Sequence, residues 1–436
     1  MTPTQPVFQL HSEEVTRLCS HVELNENKFS HQPGSVFGNI ALIAGTTVGA
    51  GILALPAVTL PSGVFPSTVL LIAVWLYTVI SGLLLAEVCV NAMRLQGRLS
   101  IGLLSMVEGT LGFVGARIAG AAYLFLNYAL LVAYMTEGGN ILVSGVSQLW
   151  GLEKIPPAWL GTMTFTVIFG GIMYLGREKF IEKLNSTFVV IVITSFVGLL
   201  FLGGGQVKTV QLFTHNWTAL GSAVSVMLVA LFFHNVVPVV VTQLEGDIPK
   251  IRQSILIGSL IPLIMFLIWN AVILGSFNPE MVQSTDNFDP LQILRSGGNG
   301  SGLGVLLSIF SEFAIATSFI GFVYGLLDFF QDIFPVTEGK PSSRLPLYSL
   351  ILLPPMSLGA INPSLFFSAL DFAGTFSISV LGGIIPALMS WKQRQEQQLN
   401  SLNKPLVPGG KLTLIIIIVI ASILMIKQIL AMTGHL

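Results

Sequence analysis

Residues 38–63 read GNIALIAGTTVGAGILALPAVTLPSG. The stretch is apolar enough to cross a bilayer, yet Gly45, Gly49 and Gly51 fall within seven residues. Glycine leaves helical backbone angles at little cost, and a break inside lipid is tolerated only where the freed N–H and C=O groups line a cavity or meet a ligand. The stretch therefore predicts a discontinuous first helix with substrate contacts at its break.

The same residues fit two other interpretations. Gly45 and Gly49 form a GxxxG pair, which is typical of a helix face that packs closely against another helix, and this alternative stays open from the pattern alone. A dinucleotide-binding loop would need a preceding strand and an acidic residue about twenty positions further on, and the sequence has neither. A second interrupted segment, described below, favours the broken helix.

The composition is that of an all-α polytopic membrane protein in a lipid bilayer. Of the 436 residues, 53% are hydrophobic and 9% are charged, against about 25% charged in a soluble globular protein. The net charge of −1 and the absence of a basic run exclude a nucleic-acid partner. Cys19 and Cys89 show no metal-ligand spacing, so we expect neither a metal site nor a cofactor.

Apolar runs near 20 residues predict eleven transmembrane helices. They run approximately over Gly38–Leu60, Val64–Val90, Arg117–Trp150, Ala158–Leu175, Thr187–Leu202, Trp217–Leu244, Ile255–Ser276, Leu303–Phe334, Leu345–Ala360, Leu365–Ser390 and Leu412–Met432.

Basic residues orient these spans. With a cytoplasmic N-terminus, only Lys154, Lys208 and Arg295 of the 20 lysines and arginines face outside, and Lys427 lies within the last span. This asymmetry supports a multi-pass protein with its N-terminus inside. The acidic N-terminal tail is untypical of an organelle transit peptide, which favours a bacterial plasma (inner) membrane, although an organelle membrane stays open.

Eleven spans divide as five, five and one, which is the inverted-repeat plan of many secondary transporters. The expected division is a polar cytoplasmic tail, a first five-helix repeat, a second five-helix repeat, a cytoplasmic linker and an eleventh helix. These regions cover residues 1–37, 38–204, 205–390, 391–410 and 411–436.

The sixth span carries the second interruption, FHNVVP at Phe233–Pro238. A proline inside a helix removes one backbone donor and displaces the preceding turn, so carbonyls near His234 should be released. His234 and Asn235 add polar side chains at that point. A lone histidine can also simply bond to a neighbouring helix, but beside a break it favours a pocket.

Three motifs together resemble the bacterial aromatic amino acid permeases, which include tyrosine-specific and tryptophan-specific transporters. They are GTTVGAGILALP at Gly45–Pro56, FHNVVP followed by LEGDIPKIR at Leu244–Arg252, and AIATSFIGFVYGLLDFFQDIF at Ala314–Phe334. The resemblance implies the fold of the amino acid/polyamine/organocation superfamily, with broken first and sixth helices, and proton-coupled import.

The resemblance also implies a substrate site at the two breaks. Backbone amides would hold the substrate carboxylate at Thr46, Thr47, Val48, Gly49 and Gly51, because the positive end of a half-helix favours an anion. Carbonyls would take the ammonium at Ala44 and at Phe232, Phe233, His234 and Asn235. The aromatic ring would be lined by Tyr123, Asn127, Tyr134, Phe233 and Phe319. Which aromatic amino acid is preferred is not determined by these residues.

The coupling ion is open between a proton and sodium. Close relatives carry a lysine in the fifth span where a sodium ion would bind, and here Val192 takes that position. Ala314, Thr317 and Ser318 could supply oxygen ligands to a hard cation, although such hydroxyls often bond back to their own helix.

Acidic residues within spans offer a proton route, because burial raises a carboxylate pKa. Glu137 and Glu312 are the deepest and are the first candidates. Glu87 and Asp328 lie near predicted membrane ends, where we expect them to be solvated, and Asp371 lies in the tenth span.

Together with the resemblance, the sequence thus predicts an importer of an aromatic amino acid, tyrosine ahead of tryptophan and phenylalanine. It is expected to work by alternating access, with proton symport ahead of sodium symport. No HExxH, GxSxG or nucleotide loop supports an enzyme, while an amino acid sensor without transport stays open. The Gly-rich loop at residues 277–302, with Phe288, Asp289 and Pro290, is expected to be a lid or a flexible connector. The oligomeric state is not predicted.

Overall fold

The computed structural model describes most of the chain. The described residues are 22–25, 28–31, 34–49, 51–96, 102–150, 156–205, 207, 209–213, 215–276, 302–333, 344–362, 365–395 and 405–433. The predicted lid at residues 277–302, including Phe288, Asp289 and Pro290, therefore lies outside the described residues except for Gly302.

The described chain is almost entirely helical. The first half contains α1 (Val36–Thr47), α2 (Gly51–Thr59), α3 (Val64–Gln96), α4 (Leu103–Trp150), α5 (Ala158–Leu175), α6 (Glu178–Gly204) and α7 (Thr209–Leu212). The second half contains α8 (Ala223–Ala230), α9 (Val237–Gln243), α10 (Ile248–Ser276), α11 (Gly302–Ile333), α12 (Leu345–Ile361), α13 (Phe366–Phe372), α14 (Ile385–Gln395) and α15 (Gly410–Met432). Single 3₁₀ turns cover Trp217–Ser222 and His234–Val236.

The described helices are those of a polytopic membrane protein. Nine helical segments are long and apolar enough to cross a membrane, with α8–α9 and α13–α14 each counted once, and the bent pair α1–α2 makes ten. Helix α12 is apolar but has only 17 residues. Most isoleucine and valine side chains on α15 are exposed, as expected for a helix that faces lipid.

Three features differ from the sequence-based expectations. Helix α4 is kinked at Gly112, whose φ of 78° is left-handed, so that a short helix from Leu103 precedes the predicted third span. The N-terminal tail, for which no secondary structure was predicted, holds two short antiparallel strands, β1 (Val22–Asn25) and β2 (Lys28–His31).

The third difference lies in the tenth predicted span. Between α13 and α14 the backbone is π-helical over Ala373–Ile378 and Val380–Ile384. Such widened turns leave carbonyl groups free for other partners and are common at functional sites.

Polar bonds hold the second half of the broken first helix in place. The Asn270 side chain of α10 accepts from the Thr59 hydroxyl (2.7 Å) and donates to Ser67 of α3 (2.9 Å). The Trp269 indole donates to the Ile52 carbonyl of α2 (3.1 Å). Since all these groups are buried in apolar surroundings, their mutual bonds fix α2 between α3 and α10.

Candidate functional site

The first break lies between α1 and α2, whose axes differ by 52°. Helix α1 ends at Thr47, and the Val48 amide still donates to the Ala44 carbonyl (3.0 Å). The hydroxyls of Thr46 and Thr47 bond back to the carbonyls one turn earlier. At the start of α2 the Ile52 amide donates to the Gly49 carbonyl (3.2 Å), so the break directs the N–H groups of the first turn of α2, which have no partner within the helix, toward the end of α1.

Two glycines of this break touch other elements at very short range. A Cβ atom on Gly49 would lie 2.6 Å from the Ser318 hydroxyl of α11, and one on Gly51 would lie 2.7 Å from the Ala230 Cα atom. By contrast, a Cβ on Gly45 would meet no atom of the described residues within 4 Å. Gly49 and Gly51 are thus needed for close contact with α11 and α8, whereas Gly45 and Gly49 do not form one packing face against the part of the chain that the structure describes.

The second break follows Ala230, the last residue of α8. Residues 231–233 leave the helix, a 3₁₀ turn follows at His234–Val236, and α9 begins at Val237. The break is where FHNVVP predicted it, but Pro238 occupies the first turn of the new helix and does not interrupt a continuous one. Proline is tolerated there because that position has no helical acceptor for its missing N–H.

His234 is buried at this second break and is 2% exposed. Its ring stacks on Phe232 (5.0 Å between centroids) and on Phe233 (5.2 Å). Among the described residues, neither ring nitrogen has a hydrogen-bond partner. An unpaired polar group in such a position costs about 1–3 kcal/mol. Asn235, the next residue, is exposed.

The two aromatic rings beside His234, those of Phe232 and Phe233, each pack against a glycine. A Cβ on Gly82 of α3 would lie 2.7 Å from the Phe233 ring. A Cβ on Gly382, in the π-helical segment, would lie 3.2 Å from Phe232 and 3.6 Å from His234. The Ser81 hydroxyl donates to the Gly382 carbonyl. Sequence reasoning missed this contribution of the tenth span, although its Gly382–Gly383 pair next to serines was a signal for an irregular helix.

The candidate cation ligands lie on α11 next to the first break. The hydroxyls of Thr317 and Ser318 each donate to the Ala314 carbonyl at 3.0 Å, which is the back-bonded arrangement. Ser318 nevertheless faces Gly49, so this part of α11 borders the first break. Tyr134 of α4 also interacts with the Ser318 side chain.

Four of the five predicted ring-lining residues are spread along α4 and α11, and the fifth, Phe233, lies at the second break. Phe319 is fully buried and packs edge-on against Phe165 of α5 (5.4 Å). Tyr123 donates to the Gly325 carbonyl (3.3 Å) and its own carbonyl accepts from Asn127 (2.7 Å). Gly325 lies seven residues after Ser318 on α11. Tyr123 and Asn127 therefore lie about 10 Å along this helix from the point where Ser318 contacts Gly49.

The acidic candidates differ in their surroundings. Glu137 of α4 and Glu312 of α11 are partly buried, and Asp328 is exposed. Asp371 accepts a hydrogen bond from Gln428 of α15 (2.6 Å). The expectation that Glu87 is solvated is wrong, because it is 5% exposed and forms a buried ion pair with Arg394.

The position at which the family resemblance implies a lysine in close relatives is occupied here by an apolar side chain. Val192 of α6 is buried, and Ser195, one turn later, bonds back to the Ile191 carbonyl. Helix α6 packs along α11, so an uncharged side chain faces this region of the core.

Comparison with known proteins gives one family over nearly the whole chain. The model of the tryptophan/tyrosine permease family matches residues 32–428. The Tyrosine-specific transport system 2 of Haemophilus influenzae is 30% identical over 407 residues, which cover 92% of this chain and 97% of that protein. The Tryptophan-specific transport protein of the same organism is 28% identical over 424 residues (92% and 97%), and the Glutamine transporter 2 of Aliivibrio fischeri is 25% identical over 401 residues (90% and 99%).

Proposed function

The chain belongs to the tryptophan/tyrosine permease family, and from that premise we propose that it imports an aromatic amino acid, tyrosine foremost, by ion-coupled alternating access. The family is one of permeases and not of enzymes. The observation that carries the proposal is the meeting of the two helix breaks, where Gly51 lies against Ala230. In transporters built of two repeats, substrate binds where the two broken helices meet.

The proposed topology has eleven spans. The bent pair α1–α2 would be one span and the shorter α12 another, beside the nine long apolar segments. The two broken helices would then open two inverted five-helix repeats, with α15 as an additional helix. The N-terminus would lie in the cytoplasm and the protein in a bacterial inner membrane, as the distribution of basic residues indicates.

The proposed site divides the substrate into three parts. The N-terminus of α2, starting at Gly51, would bind the carboxylate, because its amides and helix dipole favour an anion. Carbonyls at the end of α1 and at residues 232–235 would accept from the ammonium. The ring would lie between the breaks and α4 and α11, with Tyr134 of α4 beside Ser318.

We propose a proton as the coupling ion, carried by Glu312 or Glu137, which lie partly buried on the facing helices α11 and α4. Sodium held by Ala314, Thr317 and Ser318 is the second candidate. The position of Ser318 against the first break favours sodium as this second candidate.

The test is uptake into sealed proteoliposomes that contain the purified full-length protein. Labelled tyrosine, tryptophan, phenylalanine and glutamine are supplied while a pH gradient and a sodium gradient are imposed independently. Accumulation of an aromatic amino acid driven by the pH gradient supports the proposal. Accumulation of glutamine alone would overturn the substrate class, and accumulation driven only by sodium would move the coupling site to Thr317 and Ser318.

Glu312→Gln is the sharper test of the ion. We expect the variant to exchange labelled for unlabelled substrate but to lose accumulation driven by the pH gradient, because the amide cannot carry a proton. Asp328→Asn, which changes an exposed acid of the same helix, is the matched control and should keep accumulation. Unchanged accumulation in Glu312→Gln would assign the proton to Glu137 or the coupling to sodium.

A further inference from the structure

The imidazole of His234 differs from the other groups at the two breaks. The threonine and serine hydroxyls there bond back to carbonyls of their own helices. The ring nitrogens of His234 have no partner among the described residues, although the residue is 2% exposed. A buried donor and acceptor in a membrane protein destabilise the fold unless a ligand completes their hydrogen bonds.

The position of this ring is fixed from several sides. Phe232 and Phe233 stack on it, and Gly82 and Gly382 leave the space in which that stack fits. Because Gly382 is itself bonded through its carbonyl to Ser81, the wall next to His234 is tied to α3. The imidazole is therefore preorganised, which lowers the entropy lost when it binds a partner.

The turn that carries the ring, His234–Val236, packs against α1 and therefore lies where the two breaks meet. His234 follows Ala230 by four residues, and Ala230 is the residue that Gly51 contacts. We propose that His234 recognises the polar substituent on the substrate ring and so selects tyrosine over phenylalanine, an inference that rests on the proposed transport of aromatic amino acids.

The chemistry of the two groups is complementary. A neutral imidazole has one N–H donor and one nitrogen acceptor, and a phenol hydroxyl can both accept and donate. The indole N–H of tryptophan can donate to the acceptor nitrogen. The phenylalanine ring offers neither group, so its binding would leave the imidazole unpaired. A site built to bond a substrate hydroxyl discriminates strongly against the analogue that lacks it.

The experiment compares initial uptake of labelled tyrosine and phenylalanine by wild-type and variant proteins in proteoliposomes. The wild type should prefer tyrosine by at least about 100-fold in kcat/KM. His234→Leu should lower tyrosine uptake far more than phenylalanine uptake, so that the preference for tyrosine is lost. His234→Gln, which keeps a donor and an acceptor, should retain part of the preference.

Ser254→Ala is the control, since the Ser254 hydroxyl on α10 is also buried and without a partner among the described residues. It should leave the preference unchanged. If His234→Leu cannot be reconstituted, His234→Asn tests the proposal in its place. The shorter asparagine side chain holds its amide farther from the substrate ring, so the preference for tyrosine should fall at least about tenfold.

Equal loss of both substrates in His234→Leu, or an unchanged preference in His234→Asn, would overturn the assignment and leave the transport function standing. Absence of uptake of both amino acids by the wild type would overturn the transport proposal together with this inference. The two failures are therefore distinguishable.

Discussion

Two buried polar regions of this molecule are built in opposite ways. At one end of α3, the Glu87 carboxylate accepts from Arg394 at 2.7 and 2.9 Å and from the Leu406 amide at 2.8 Å. Ser390 adds a further donor at 3.2 Å, and the Leu406 carbonyl accepts from Arg252. At the second helix break, by contrast, His234 is equally buried and neither of its ring nitrogens has a partner among the described residues.

The difference separates a structural cluster from a candidate binding group. Every oxygen of Glu87 is bonded, so the cluster joins α3, α10, α14 and the start of the segment leading to α15. A satisfied network of this kind specifies a single arrangement of the helices. An unsatisfied group in a rigid stack stabilises no arrangement by itself, and its cost is offset only when a ligand arrives.

The largest effect is expected from Arg394→Met. The substitution leaves the Glu87 carboxylate buried without its cation, and breaking one side of a buried ion pair costs about 3–5 kcal/mol. Thermal unfolding in detergent should show a lowered Tm. Lys392→Met on the same helix, at an exposed position, should leave Tm nearly unchanged. Equal Tm values for the two variants would show that the cluster is not structural.

The next effect concerns the contact between the breaks. Gly51→Ala places a Cβ 2.7 Å from the Ala230 backbone, which cannot rotate away. Overpacking of this size costs about 1–3 kcal/mol, so we expect uptake to fall at least about tenfold. Gly45→Ala meets no atom of the described residues within 4 Å and should transport as the wild type does. Equal uptake by both variants would remove the break contact from the mechanism.

The smallest effect is expected from Gly49→Ala. Its Cβ would lie 2.6 Å from the Ser318 hydroxyl, the end of a side chain that can change rotamer. We expect uptake to fall by about threefold to tenfold, which corresponds to roughly 1 kcal/mol. Ser318→Ala removes the clashing atom, so the double variant should return to the uptake of Ser318→Ala alone. If uptake by the double variant is as low as that of Gly49→Ala, the contact with Ser318 is not the cause of the defect.

Local sequence signals predicted the helices and their breaks well. The limits of α5, Ala158–Leu175, are those expected, because prolines precede it and Gly176 follows it. Glycines near Thr47 and the proline of FHNVVP marked both breaks. The short helix that precedes the kink at Gly112 was not predicted, because it is too short to give the apolar run of a membrane span.

The contacts that build the site could not be predicted in the same way. Gly49 meets Ser318, and Glu87 meets Arg394, across most of the chain length. Such pairs depend on how distant helices pack, and a local pattern contains no information on this. The pairing explains why Glu87, judged only by its place near a span end, was wrongly expected to be solvated.

The Glu87 cluster also sets an order of assembly. Glu87 and Arg394 are 307 positions apart, a length that takes about 15–60 s to synthesise at ordinary translation rates. During that interval α3 is already made, while the cation that neutralises its carboxylate does not yet exist. The closure of this end of the bundle is therefore among the last events of biogenesis, and any chain that stops before residue 394 retains an early helix with an unmatched charge.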